Sequence, residues 1–128
     1  MSMKKSVGVA LMGLGTIGGG VFKALSERDK TIAEAIGCPV ILRKVLEKRP
    51  VDVEPRLLTK DVRDILADPE IDIVVEVLGG EHPAVDFIKE ALLSGKHVVT
   101  ANKEVIAKHG AELLAIARDK GVALQFEA

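Results

Sequence analysis

Val7-Gly8-Val9-Ala10-Leu11-Met12-Gly13-Leu14-Gly15-Thr16-Ile17-Gly18 runs from a short apolar strand pattern into G-x-G-x-x-G, and a helical pattern follows it. That order is what a dinucleotide-binding turn requires. Gly13 would permit a tight turn off the strand. A side chain at Gly15 would occupy the space of a pyrophosphate, and Gly18 would let the helix press closely on the strand. Thr16, Ile17 and Gly18 would open that helix, turning unpaired N–H groups and a partial positive charge toward the phosphates. A glycine-rich loop without a ligand is the plainer alternative; the strand-turn-helix context favours the cofactor.

Downstream, Ile17, Val21 and Leu25 recur at helical spacing, and Ile32, Ala33 and Ile36 resume the stripe as far as the stop at Gly37-Cys38-Pro39. Gly19 and Gly20 would each cost about 1 kcal/mol inside a helix, and close packing against a sheet is one reason to keep them. Val40–Leu46 reads as a second strand closed by Glu47-Lys48-Arg49-Pro50. The end of this strand usually reads the adenosine ribose: an acid bonds the 2′-hydroxyl, whereas basic residues accept a 2′-phosphate. Glu47 stands farther past Gly18 than the usual ~20 residues, a difference that a longer first helix could absorb. Lys48 and Arg49 point to the phosphate instead, and a solvated charged loop is the third reading.

Leu57-Leu58 could form a short third strand, followed by a small helix around Val62, Ile65 and Leu66. Ile71–Leu78 is the strongest strand pattern, and its near-continuous hydrophobicity suits a parallel strand buried on both faces. Glu76 is its exception, read as a paired structural carboxylate more readily than as a site residue. Gly79-Gly80 then opens a turn where backbone could approach a ligand. Pro83 suits a helix start, Val85, Ile88 and Leu92 form one helical face, and Gly95 suits its C-terminal cap. His82 at that entrance reads as a capping or surface residue. Lys96–Thr100 gives a fifth strand, and a helical stretch broken around Gly110 runs to Gly121. Val122–Phe126 begins a sixth strand.

Strands alternate with helices throughout. The expected fold is therefore α/β, a Rossmann-type doubly wound parallel sheet of strand order 3-2-1-4-5-6, with its ligand over the C-terminal ends of strands one and four. Gly79, Gly80 and Thr100 fall on that rim. The 128 residues suffice for one domain, spanning 1–128, and the end just after a strand pattern suggests a cut from a longer chain. Eighteen basic against 19 acidic residues, no Trp or Tyr and three Phe offer nucleic acid neither a charged surface nor a stacking platform. A single cysteine, Cys38, suits a reducing cytoplasm. Lys4 and Lys5 superficially resemble the start of a signal peptide, but glycines interrupt the apolar run and none reaches the ~20 residues that span a bilayer. The reading is a soluble cytoplasmic protein without a membrane partner.

Lys103 is the candidate chemical group. If Asn102 caps the last helix, Lys103 falls in its first turn, where a cation meets the positive end of the helix dipole. A lysine able to give up its proton can serve an alcohol or carbonyl oxygen. An ordinary exposed lysine is the alternative.

Taken together, Gly13–Gly18, Val75-Glu76-Val77-Leu78-Gly79-Gly80, Pro83-Ala84, the run Ala91–Lys103 and Phe126-Glu127-Ala128 resemble the homoserine dehydrogenases over the whole chain. The resemblance implies NAD or NADP as coenzyme and reversible interconversion of homoserine and aspartate 4-semialdehyde, in threonine, isoleucine and methionine synthesis. It implies a catalytic role for Lys103 beside nicotinamide and substrate. It also implies a monovalent-cation (Na+) ligand at Glu127, whose fellow ligands would lie farther on. The remaining active-site groups and a dimer-forming region would lie beyond Ala128, leaving this piece without turnover. A related amino-acid or sugar dehydrogenase domain, or a non-catalytic nucleotide-sensing module, would carry the same cofactor fold.

Overall fold

Val7–Met12 forms β1, the strand around which the computed structural model builds a six-stranded sheet; residues 6–27, 30–31, 34 and 37–127 are described. β2 (Val40–Leu46) and β4 (Ile73–Glu76) flank it. β3 (Leu58–Thr59) lies outside β2, and β5 (His97–Thr100) and β6 (Leu124–Phe126) lie outside β4. Every pairing is parallel, and the order β3-β2-β1-β4-β5-β6 is the one expected. Crossovers run through α1 (Thr16–Glu27), the short α2 (Arg63–Leu66), α3 (Ala84–Leu93) and α4 (Lys103–Lys120).

Burial explains the order. Val9 to Met12 of β1 are all buried, as a strand with neighbours on both sides requires. Ala10, Met12, Val74 and Val98 form one sheet face. Against it pack Val85, Ile88 and Leu92 of α3 with Val105, Leu113 and Ala117 of α4. The helical spacing of these residues is what turns one apolar stripe toward the sheet. Each large side chain buried there contributes roughly 1.5–3 kcal/mol.

One irregularity matters for the site. β1 and β2 stay in step from Val7↔Val40 to Val9↔Leu42, then skip Arg43, so that Ala10 faces Lys44 and Met12 faces Leu46. This bulge delivers Glu47 to the end of β1.

Several expectations are corrected. The run Ile71–Leu78 yields only Ile73–Glu76 as strand. Below it the Asp72 carboxylate accepts the Gly8 N–H (2.9 Å), and above it the Leu78 N–H turns to the Glu76 carboxylate (2.8 Å). Burial alternates along β4 instead of covering both faces, Ile73 and Val75 being half-buried. β6 likewise starts only at Leu124.

α4 passes through Gly110 without a break. The ~1 kcal/mol that glycine costs is offset by an Asn102 cap at one end, a left-handed Gly121 at the other and three buried anchors between. Nor do Gly19 and Gly20 pack on the sheet: a Cβ at either would meet no described atom within 4 Å. Leu57 belongs to a 3-10 turn that precedes β3. Ile32, Ala33 and Ile36 lie outside the described residues, as do Lys4, Lys5 and Ala128. No described helix is long and apolar enough to cross a membrane.

Candidate functional site

The rim at the C-terminal ends of β1 and β4 begins with the glycine turn. Gly13 has φ +97°, a backbone that side-chain-bearing residues rarely adopt, and its N–H donates to the Leu46 carbonyl (2.9 Å). A Cβ on Gly18 would stand 2.3 Å from the Gly13 carbonyl oxygen, so α1 is pressed against the glycine turn, where its sequence suggested close packing on the strand. A Cβ on Gly15 would meet no described atom within 4 Å. It would project into open space, where a pyrophosphate has room.

α1 also differs from the other helices electrostatically. α2, α3 and α4 carry Asp64, Asp86 and Glu104 in their first turns, whereas the first turn of α1, Thr16 onward, has no acid. Its N-terminal partial charge is not offset by an acid of its own first turn.

Glu47 completes this half. Oε1 accepts the Leu14 N–H at 3.0 Å and Arg49 Nη2 at 2.9 Å, while Oε2 accepts the Arg49 backbone N–H at 3.2 Å. The Arg49 hydrogen bond, helped by the Leu14 and Arg49 amides, holds the Glu47 carboxyl down at about 2. The acid therefore braces the turn whose ligand it was expected to read. Arg49, expected to reach a 2′-phosphate, is folded onto Glu47 but is two-thirds exposed. Lys48 lines a cleft of about 220 Å³ with Leu46, Glu47, Leu78, Gly79, Pro83 and Phe87. Its walls are mostly apolar. Leu78, Pro83 and Phe87 were not read as site residues from the sequence, because Leu78 belongs there to a strand pattern and Pro83 and Phe87 to a helical one. A second hollow, of about 380 Å³, opens on the other side of Glu47 and adds Lys60 to Arg49.

The β4–β5 half is built from side chains. Gly79 and Gly80 both have positive φ, +77° and +74°. Glu76 is fully buried and, as expected, paired; Thr100 Oγ1 donates to its Oε1 (2.5 Å) and the Leu78 N–H to its Oε2. Thr100 is itself fully buried, and its carbonyl accepts the Glu127 N–H (2.9 Å). Asn102 caps α4 through Oδ1, which accepts the Val105 N–H (3.2 Å), and its Nδ2 donates to the Gly80 carbonyl (2.7 Å). Lys103 stands exposed at the first position of α4, as the capping argument required.

Next along the turn, Glu81 is tied to α4 by His109 (2.6 Å) and Lys108 (3.2 Å), which hold its carboxyl below the usual range. His82 is a surface residue bonded to Asp86 at 3.0 Å, and that contact raises its pKa. Glu127 is exposed, and among the described residues no group of three His, Cys, Asp or Glu could hold a metal.

Nothing on this rim is particular to one substrate. A glycine turn from β1 into an acid-free helix start, open space at Gly15 and a parallel sheet of order β3-β2-β1-β4-β5-β6 make the chain a dinucleotide-binding domain of the Rossmann class. Residues 13–127 match the family model for the homoserine dehydrogenase NAD-binding domain. The chain is 43% identical over 97% of its length to the homoserine dehydrogenase of Bacillus subtilis strain 168. It is equally similar to the Pseudomonas aeruginosa enzyme, again over 97% of its length. The crystal structure of a homoserine dehydrogenase from Thiobacillus denitrificans superposes with a TM-score of 0.89 at 40% identity, covering 96% of this chain and 30% of that one. A Staphylococcus aureus homoserine dehydrogenase structure gives 0.86 at 42%, covering 97% of this chain and 33% of that one. The chain belongs to the homoserine dehydrogenase family, as its NAD-binding domain. It spans about 30% of the length of the two curated relatives.

Proposed function

We propose that, within its full-length protein, this domain serves the reversible interconversion of homoserine and aspartate 4-semialdehyde, with Lys103 as the proton-transfer group. The observation that carries this reading is the position of Lys103, exposed at the first residue of α4 and joined through Asn102 to the Gly79–Gly80 turn. The pyrophosphate would lie on Gly13–Gly18 at the start of α1, and the adenine in the cleft beneath Lys48 and Phe87. Once bound, the nicotinamide supplies hydride acceptance and donation. Lys103 takes the proton from the alcohol oxygen in one direction and returns it to the aldehyde oxygen in the other.

Coenzyme choice follows from the end of β2. Glu47 suits a 2′-hydroxyl, whereas Arg49 released from Glu47, together with Lys48, suits a 2′-phosphate. Glu127 is proposed as one ligand of a monovalent cation whose others lie in the remainder of the protein. Its setting is proposed as cytoplasmic, and the whole enzyme as a homodimer or larger.

The test is single-turnover kinetics with aspartate semialdehyde in the full-length enzyme. Lys103→Ala should slow the chemical step roughly 10²–10⁴-fold, the usual weight of a general acid or base. Lys103→Arg should rescue little, because arginine keeps its proton. A Lys103→Arg enzyme running at parent speed leaves Lys103 no part in proton transfer.

A further inference from the structure

Glu76 presents more than a buried acid needs in order to be tolerated. Glu76↔Thr100 is the last rung that joins β4 to β5, and beyond it the two strands diverge into the Leu78–Gly80 and Ala101–Asn102 turns. From that rung the Glu76 side chain reaches into both. It accepts from the Leu78 N–H (2.8 Å) on its own side, and from Thr100 Oγ1 (2.5 Å) and Asn102 Nδ2 (3.4 Å) on the other. Thr100 Oγ1 in turn accepts the Asn102 N–H (3.0 Å). Asn102 then bonds back to the Gly80 carbonyl and forward to Val105 in the first turn of α4. Glu76 and Thr100 are fully buried and Asn102 is 5% exposed, so water does not substitute for any of these partners.

We propose that Glu76 is a positioning residue: it clamps the Leu78–Gly80 turn to the Thr100–Asn102 turn and so fixes where Lys103 stands. This rests on the reading of Lys103 as the proton-transfer group. Every hydrogen bond of the Glu76 side chain is one it accepts, and its two oxygens serve three donors. An amide of the same shape would either turn its NH2 onto the Leu78 and Asn102 donors or oblige the Thr100 hydroxyl to reverse from donor to acceptor. The strands would stay paired through their backbone, but the two turns would lose their common anchor. Coenzyme held at Gly13–Gly18 would scarcely register the change, whereas a displaced Lys103 would, because a shift of about 1 Å can reduce a rate a hundredfold.

The experiment compares full-length parent, Glu76→Gln, Lys103→Ala and the double variant. Glu76→Gln should lower kcat about tenfold to a hundredfold while the NADH dissociation constant stays within about threefold. In the Lys103→Ala background the same change should add little, because both act through one group. Without coenzyme, amide exchange at 78–80 and 102–105 should accelerate together in Glu76→Gln. Full additivity with Lys103→Ala, a kcat near that of the parent, or faster exchange in only one turn each overturns the proposal. If Lys103→Ala itself runs at parent speed, the proton-transfer reading fails and this one with it. A slow Lys103→Ala beside a fast Glu76→Gln sinks only the positioning role. Should Glu76→Gln not fold, Thr100→Val, which deletes one donor to the same carboxylate, must show the same loss and the same non-additivity.

Discussion

The two halves of the rim are made of different material. On the β1–α1 side the rim is backbone, from the left-handed Gly13 through the space at Gly15 to Gly18 against a carbonyl. On the β4–β5 side the shape is held by buried side chains, Glu76, Thr100 and Asn102, bonded to one another and to the turns they join. The first half needs the absence of side chains at its glycines, with the Glu47 carboxylate bracing the turn through the Leu14 N–H. The second needs particular side chains in particular hydrogen-bonding roles, Glu76 as an acceptor above all. On the proposed reading, binding resides in the first and the placing of chemistry in the second.

The hardest blow to this contrast is Gly15→Val. Filling the pyrophosphate space should weaken coenzyme binding in the full-length protein by roughly a hundredfold or more, at least ~2.7 kcal/mol. The melting temperature should hold, since the new atoms begin in open space. Calorimetry showing parent affinity would remove the glycine turn from the site. Next is coenzyme selection. Replacing Lys48 and Arg49 by Ala should weaken NADPH about ten- to a hundredfold, the weight of a charge-assisted bond, and leave NADH nearly unchanged. Equal losses for both coenzymes would return these cations to the solvated surface.

Gly18→Ala sharpens the contrast from the side of stability. Its methyl would stand 2.3 Å from the Gly13 carbonyl, and such overpacking costs roughly 1–3 kcal/mol, visible as a lower urea midpoint. An unchanged midpoint would mean that α1 can retreat from the turn. The smallest effect concerns acid. Glu47 titrates at about 2 instead of the ordinary 4.5, so its contribution to stability is present above the ordinary value and fades as pH falls from there toward 2. Between pH 5 and 2 the parent should lose more stability than Glu47→Gln. Parallel melting curves over that window would contradict the brace between Glu47 and Leu14.

The same division governs what the sequence could reveal. Glycine announces itself, since only a few backbone geometries require it, and Gly13, Gly79, Gly80 and Gly121 all take the positive φ that a turn asks of glycine. Asn102 was legible too, because a cap acts within one turn of its own helix. Glu76 was legible as a paired carboxylate, but its partners were not. Thr100 and Asn102 meet it only because β4 and β5 pair Glu76 with Thr100, and register is a property of two strands at once. The Glu47–Leu14 bond hides for the same reason. Gly110 and the Gly19-Gly20 pair misled in the opposite direction. There a local preference was outweighed by caps and core contacts at Gly110, and met by no sheet contact at Gly19 and Gly20.

The bulge at Arg43 takes up one residue of β2. With the extra residue, Leu46 ends opposite Met12 and the next position, an acid, falls beside the glycine turn. Deleting Arg43 would take out the bulge alone: Leu42 would still face Val9, Lys44 would still face Ala10, and Glu47 would keep its place beside the glycine turn. The extra residue is thus slack in the strand, and β2 can give up one residue there without moving the acid. A titration of the Arg43-deleted chain with NADH and NADPH should return the parent's preference, and a reversed preference would show that the strand had slipped instead.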